Sequence, residues 1–469
     1  MAESLTFRLP EHGRSTDCLP AGFDVAGLQA YLRTAWDRRL LWDDETAAPP
    51  KGEPLLSVDY GGYLRAHNYA GLVQWQGLRV EIYPKLFGGS GGPPEGRRWF
   101  GHLLWWLSYC RRVRFPFAGV TAELAHVDDF PEAIIAHFAR FSHRVLSNQP
   151  YARYQETTEA LPCVRGRLST GAYVRQSLGR GLPHQLVCAH EPFVYDNRLN
   201  QIVKYVARQL SQVCRFGETY HALNQVLFLL DEVSDVPAVA PDCDGLFLNP
   251  VFEAYADVLA MCRFFLSQSY LDLTDTTQAN YCFLVPMEYV FEDFLNGFIE
   301  TELGDDYRVE YQKTGWLTDE KVFQLRHDLF LTHRATNRPV VVDAKYKLRH
   351  EAETDPKAGI AQPDMYQLVS YALRSGCPTA LLLYPAPDHA PVPAPVRFTV
   401  SSTGPLPAFS LVLWAASLPL TAAASTHSFA EARQQLRASL LTLLEQLGTC
   451  STKAPTPTPA AAADAPAPA

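Results

Sequence analysis

Apolar and polar positions fall into blocks along this chain, and the blocks change character near residue 270. Residues 24–42 carry apolar positions at helical spacing and predict an amphipathic helix. Residues 54–87 read as strands, with Gly61-Gly62 as a turn. The glycine- and proline-rich run 88–94 predicts a flexible loop. Helices are predicted over 97–112 and 130–147, and a hairpin over 151–173. Three more helices are predicted over 197–216, 218–233 and 251–268.

After a polar break at 272–278 the order becomes helix, three strands, helix, strand. The helix spans 288–303 and the strands 307–313, 322–332 and 340–347. A helix at 365–375 follows, then strands at 379–384, 396–400 and 409–414, and a last helix at 429–447. That order predicts a mixed sheet flanked by helices, an α/β layer fold. The expected organisation is a multidomain α/β chain. It has an N-terminal mixed α+β region over 1–270, a second α/β domain over 285–448, and a boundary near 270–285. The tail 451–469 is almost entirely Ala, Pro and Thr and is expected to be disordered. No internal repeat is visible.

Composition narrows the classes. A chain of 469 residues has room for roughly two to four domains. The net charge of -9 means that any contact with nucleic acid must use a local patch or a partner. Ten cysteines without a C-x-x-C pair suggest neither a zinc ribbon nor a disulfide framework, and fit reduced thiols in the cytoplasm. Residues 1–18 carry no apolar core of a secretory signal. The apolar stretch 409–424 is interrupted by Ser410, Ser417 and Pro419 and is too short for a membrane span. The expectation is a cytoplasmic protein with no membrane contact.

The chemistry concentrates in Val340-Val341-Val342-Asp343-Ala344-Lys345-Tyr346-Lys347. In a strand, residues two apart share a face, so Asp343 and Lys345 point together and Ala344 points away. Asp328 stands fifteen residues earlier, in a strand expected to pair with the Val340 run. Two carboxylates can hold a hard divalent cation, and a neighbouring lysine can orient the attacking water. Glu292 lies on the helix preceding the sheet. Gln367 and Tyr371 are four apart and share a face of the following helix. Elsewhere, Trp105 and Trp106 are expected in the core, and His184 and His190 are expected to be structural. Arg97, Arg98, Arg111, Arg112 and Arg114 read as a solvated helix edge rather than a binding surface. Arg165 and Arg167 fit equally a structural carboxylate or a partner.

Asp328, Asp343, Lys345, Gln367 and Tyr371 together resemble a PD-(D/E)xK nuclease with a Q-x-x-x-Y helix, similar to RecB-like nucleases. His327 stands where that motif has proline. The resemblance implies that Asp328 and Asp343 bind Mg²⁺, which Mn²⁺ can replace, with the Ala344 carbonyl as a further ligand. Lys345 would position water, and Glu292 would be the auxiliary acid of the metal site. Gln367 and Tyr371 would orient the metal shell or the DNA backbone. The run Val285-Pro286-Met287-Glu288, the Val290–Phe294 segment and the motif strands look like the McrC family. Upstream, Leu78 to Lys85 resembles its I-x-P-K segment, Arg165-Gly166-Arg167-Leu168 its R-G-R-L segment, and Asn197-Arg198-Leu199-Asn200 its N-x-L-N helix entry.

That family implies the nuclease subunit of a modification-dependent restriction system of the 5-methylcytosine type. Its partners would be an McrB-like AAA+ NTPase hexamer and methylated double-stranded DNA. GTP would be bound by the partner, whose hydrolysis the N-terminal region stimulates. The chain has no G-x-x-x-x-G-K-[ST] phosphate loop, which agrees with a motor on another chain. The rival readings are a stand-alone RecB-like repair nuclease and a non-catalytic adaptor that only activates the NTPase.

Overall fold

The structure, a computed structural model, describes residues 5–37, 54–88, 98–112, 116, 130–154, 156–267, 280–349, 355–388, 390–402, 409–421 and 429–449. The expected tail 451–469, the break 272–278, most of the loop 88–94, and Arg97 and Arg114 lie outside them. The chain divides into two compact units, 1–294 and 295–469, at a point inside the helix Met287–Leu303.

The first unit is built on a four-stranded sheet in the order Leu5–Pro10, Leu78–Tyr83, Tyr69–Trp75, Tyr281–Pro286. The last strand arrives from two hundred residues downstream in the chain and pairs antiparallel with Tyr69–Trp75. All six of its residues are buried. A strand covered on both faces needs no apolar–polar alternation. No strand is predicted over this run from the sequence. The helix Val25–Asp37 closes the core with Leu28 and Leu32 against Val73, Val80 and Leu284.

Gly71 makes this pairing possible. Its φ is +140°, and a Cβ there would lie 1.9 Å from the Phe283 carbonyl oxygen on the adjoining strand. Gly71→Ala is expected to destabilise the first unit by about 3 kcal/mol or more, read as a drop in denaturation midpoint.

Two of the upstream motifs are structural. In the Leu78–Tyr83 strand, Glu81 is buried and held by Arg8 and Arg79, each at 3.0 Å. At the start of the helix Arg198–Val213, Asn197 accepts the Asn200 N–H and donates to the Tyr151 carbonyl at 3.1 Å. Asn200 donates to the Tyr151 and Tyr195 carbonyls at 2.9 and 2.8 Å. Asn197 thus caps the helix, and Asn200, inside its first turn, ties the entering loop to it. Trp105 and Trp106 are buried and pack on Phe294. Arg112 is tied down as well, its backbone N–H donating to Asp293 at 2.8 Å.

The 151–173 hairpin is corrected. Thr157–Leu161 and Arg167–Leu168 do not pair with each other, because Leu186–His190 lies between them and pairs with both. Residues from Thr170 onward form the helix Thr170–Gln176. Gly166, at φ +70°, turns the chain against the Ala189 carbonyl, so the return strand comes from further along the chain. Arg165 and Arg167 are exposed, and among the described residues no ion pair with a carboxylate is found for them.

The second unit is a six-stranded mixed sheet in the order Tyr307–Tyr311, Leu329–His333, Pro339–Ala344, Thr379–Pro385, Ser410–Leu418, Val396–Ser401. Pro339–Ala344 is antiparallel to Leu329–His333 and parallel to Thr379–Pro385. The helix Gln362–Arg374 lays Leu368, Tyr371 and Ala372 on one face of the sheet, against Val341, Ala380 and Leu382. The expected strand 322–332 is two strands. Gln324–Arg326 pairs with Thr314–Trp316 in a separate ribbon, and Leu329–His333 joins the sheet. The chain breaks at His327-Asp328 because His327 is buried and committed elsewhere. Its backbone N–H and its Nδ1 both bond the Lys313 carbonyl, at 3.1 and 2.9 Å.

Candidate active site

Leu329 pairs with Val342 in antiparallel register. Asp328 and Asp343, one step further along each strand, are therefore directly across from each other. Asp328 Oδ2 accepts the Ala344 N–H at 2.8 Å, which fixes that carboxylate over the end of the Asp343 strand. Asp343 is wholly buried. Lys345 Nζ lies 2.7 Å from Asp343 Oδ2, as the shared strand face requires. Lys345 is the charge partner of this carboxylate, and no backbone N–H or hydroxyl among the described residues bonds either of its oxygens.

Lys345 Nζ also donates to Gln367 Oε1 at 2.9 Å, and Gln367 Nε2 donates to the Tyr371 hydroxyl at 2.6 Å. One turn of the helix Gln362–Arg374 thus fixes the lysine from above. Burial pushes the Asp343 carboxyl above its usual range, with the Lys345 ammonium pulling the other way. Burial draws the Lys345 ammonium down, but Asp343 outweighs it and holds the group above its ordinary value. Burial likewise raises the Tyr371 hydroxyl.

A wholly buried carboxylate whose burial outweighs the attraction of its lysine partner is costly to fold. Facing a second carboxylate, it suits a divalent cation. Among the described residues, no group of three or more His, Cys, Asp and Glu is placed to hold a metal ion. Asp328 and Asp343 together offer two carboxylates, both oxygen donors. That matches Mg²⁺, which keeps several waters and takes one or two protein carboxylates.

The structure brings Asp328, Asp343, Lys345, Gln367 and Tyr371 together in the second unit. Glu292 belongs to the first unit, where its carboxylate lies 3.9 Å from Arg112. Two elements were missed in the sequence. Asp364 is buried and binds Lys347 Nζ through both oxygens at 2.9 Å. The signal was there: Asp364 stands one helical turn before Gln367, and Lys347 two residues after Lys345. The other is His327, which stacks on Tyr371 with ring centroids 4.7 Å apart. Its Nδ1 must carry the proton given to the Lys313 carbonyl, so in the neutral ring Nε2 accepts from Ser375 Oγ at 2.8 Å.

Residues 64–385 match the family model described as McrBC 5-methylcytosine restriction system component. The chain belongs to this McrBC family. The match spans both units and contains Asp328, Asp343, Lys345, Gln367 and Tyr371. Among solved structures, the chain resembles one from a half-complex of a tetradecameric assembly of Thermococcus gammatolerans McrB AAA+ hexamers with bound McrC. The identity is 15%, the TM-score 0.66, and the alignment covers 93% of this chain and 100% of that one. A chain in a second structure, the Thermococcus gammatolerans McrBC complex, aligns at 16% identity and a TM-score of 0.49, over 64% of this chain and 88% of that one. The first likeness shows a shared fold. No curated protein sequence matches significantly. Among the described residues of this McrBC-family chain, no helix is long and apolar enough to cross a membrane.

Proposed function

We propose that this McrBC-family chain is the DNA-cutting subunit of its restriction system, a Mg²⁺-dependent endonuclease with a PD-(D/E)xK site in the second unit. It works with an McrB-like AAA+ GTPase hexamer whose hydrolysis it stimulates, on double-stranded DNA carrying 5-methylcytosine. The observation that carries this reading is the wholly buried Asp343, one residue beyond the strand pairing that brings Asp328 near it and in ion-pair contact with Lys345. The solved assembly similar to this chain, McrB hexamers with bound McrC, supports the choice of partner.

Asp328, Asp343 and the Ala344 carbonyl would hold the cation. When bound, Mg²⁺ supplies Lewis-acid polarisation of the phosphate and lowers the pKa of a coordinated water. The chain's own groups do the rest. Lys345, held by Gln367 and Tyr371, orients the attacking water and offsets charge that builds on the phosphoryl oxygens. Asp364 fixes Lys347 beside it, and Lys347 would meet the DNA backbone. The first unit, 1–270 in the sequence reading, would serve the NTPase ring.

The metal requirement tests the donor set. Mg²⁺ or Mn²⁺ is expected to support cleavage, while Ca²⁺ binds without supporting it well. Exhaustive EDTA treatment should abolish cutting, and cutting that survives it removes the site from consideration. The partner reading has its own test. Adding this protein to the purified NTPase should raise GTP turnover, and an unchanged rate contradicts the pairing.

A further inference from the structure

A cavity of about 450 Å³ lies in the second unit between the ribbon Thr314–Trp316/Gln324–Arg326 and the C-terminal end of the helix Gln362–Arg374. Its lining includes Lys313, Trp316, Lys321, His327, Phe330 and Arg374. The size is that of a small-ligand site, far too small for a protein domain or a duplex. Three cations line it against the single carboxylate of Asp319, which Arg374 Nη2 already engages at 2.7 Å. That positive lining stands out in a chain of net charge -9.

The cavity is built, not incidental. Arg374 Nε donates to the Trp316 carbonyl at 2.7 Å, clamping the ribbon to the helix that carries Gln367 and Tyr371. His327 forms a wall, stacks on Tyr371, and immediately precedes Asp328 in the chain. The ribbon is tied in by the Gln312 N–H, which donates to the Asp328 carbonyl at 3.1 Å. From the His327 wall, Tyr371 and then Gln367 lead to Lys345. Lys313 holds its ammonium 3.8 Å over the Phe330 ring and 3.1 Å from Glu310. Lys321 is exposed at the turn of the ribbon, with a φ of +58°. Trp316 is 39% exposed, and beside it Leu317, Val322 and Phe323 also stand in solvent.

An aromatic face with flanking cations is how proteins hold unstacked bases and the phosphates that join them. We infer that this cavity is a nucleotide subsite that takes one unpaired nucleotide of the DNA next to the cut. The base rests on Trp316, and Lys321 and Lys313 meet the adjoining phosphates. The inference rests on the reading of the chain as a DNA-cutting subunit. It adds that the site favours DNA in which a nucleotide has left the stack, the state in which a base can enter so small a space.

Binding, measured without cutting, tests it. The full-length protein is titrated with two fluorescent duplexes in Ca²⁺, one fully paired and one with a single unpaired nucleotide. Trp316→Ala and Lys321→Ala are each expected to weaken binding of the second duplex about tenfold and of the first much less. Trp316→Phe, which keeps a platform, should restore most of the loss and shows that the ribbon still folds. Wild-type affinity in both alanine variants overturns the subsite. Equal losses on the two duplexes also overturn it, because they report general charge attraction. Intact DNA affinity with lost stimulation of the partner GTPase would assign the cavity to a protein contact instead. Cleavage is not read in this assay, so failure here leaves the carboxylate site standing, and failure of the carboxylate site leaves this result interpretable.

Discussion

Asp343→Asn protein is expected to cut DNA at least about a thousandfold more slowly than wild type, while its metal-free form melts at the same or a higher temperature. The two halves of this result come from one residue. Asp343 is wholly buried, and burial outweighs the attraction of Lys345 Nζ 2.7 Å from its Oδ2. Keeping such a carboxylate in the core costs folding energy, and a neutral amide of the same shape relieves part of that cost. Lys345 is not orphaned by the change, because it retains its hydrogen bond to Gln367 at 2.9 Å. A core residue chosen for packing would behave in the opposite way, losing stability on substitution. Loss of a metal ligand should remove several kcal/mol of transition-state stabilisation, and each factor of ten in rate is about 1.4 kcal/mol. Single-turnover cleavage and a thermal melt in EDTA check both halves. A variant that melts far below wild type and still cuts would mean that Asp343 is structural.

The second large effect concerns where the first unit ends. A fragment stopping at residue 275 is expected not to fold, whereas one stopping at 303 should melt cooperatively. The longer fragment adds the strand Tyr281–Pro286 and the helix Met287–Leu303. Burial of that strand's apolar side chains is worth about 10 kcal/mol as an upper figure. A whole domain has roughly 5–15 kcal/mol of net stability, so its loss is decisive. It also strips the Tyr69–Trp75 strand of its antiparallel neighbour and leaves an open, apolar edge. Phe294 adds a ring 5.5 Å from Trp105. Circular dichroism melts of the two fragments decide the matter, and a cooperative melt of the shorter one would show that the strand is dispensable. Only the longer fragment is then suited to ask whether the first unit alone stimulates the GTPase.

The site was legible in the sequence because its determinants are local. Asp343 and Lys345 share a strand face by parity, and Gln367 and Tyr371 share a helix face by spacing. Each rule needs only neighbouring residues, and the distances of 2.7 and 2.6 Å follow from them. The helices of both units were readable for the same reason. Arg198–Val213 buries Leu199, Ile202, Val203, Val206 and Leu210 at three- and four-residue steps. What stayed hidden depends on contacts distant in sequence. Tyr281–Pro286 is a strand because Gly71, far upstream, lets another backbone come within reach. The 151–173 hairpin failed because Leu186–His190 enters between its arms. The break at His327 is set by the Lys313 carbonyl and Ser375, neither of which a strand pattern reveals. Asp364 and Lys347 escaped notice although their spacing was available, since an exposed lysine and a first-turn aspartate are common on any helix and strand end.

The most direct test of the account follows two readouts in one reaction. A plasmid containing 5-methylcytosine is incubated with the partner GTPase, GTP, Mg²⁺ and either the wild-type chain or Asp328→Ala. Cleavage and GTP turnover are followed together. The account predicts that wild type raises turnover and cuts the plasmid, and that Asp328→Ala raises turnover equally and leaves the plasmid intact. Equal cutting by the two proteins, or no cutting by wild type while turnover rises, would contradict it.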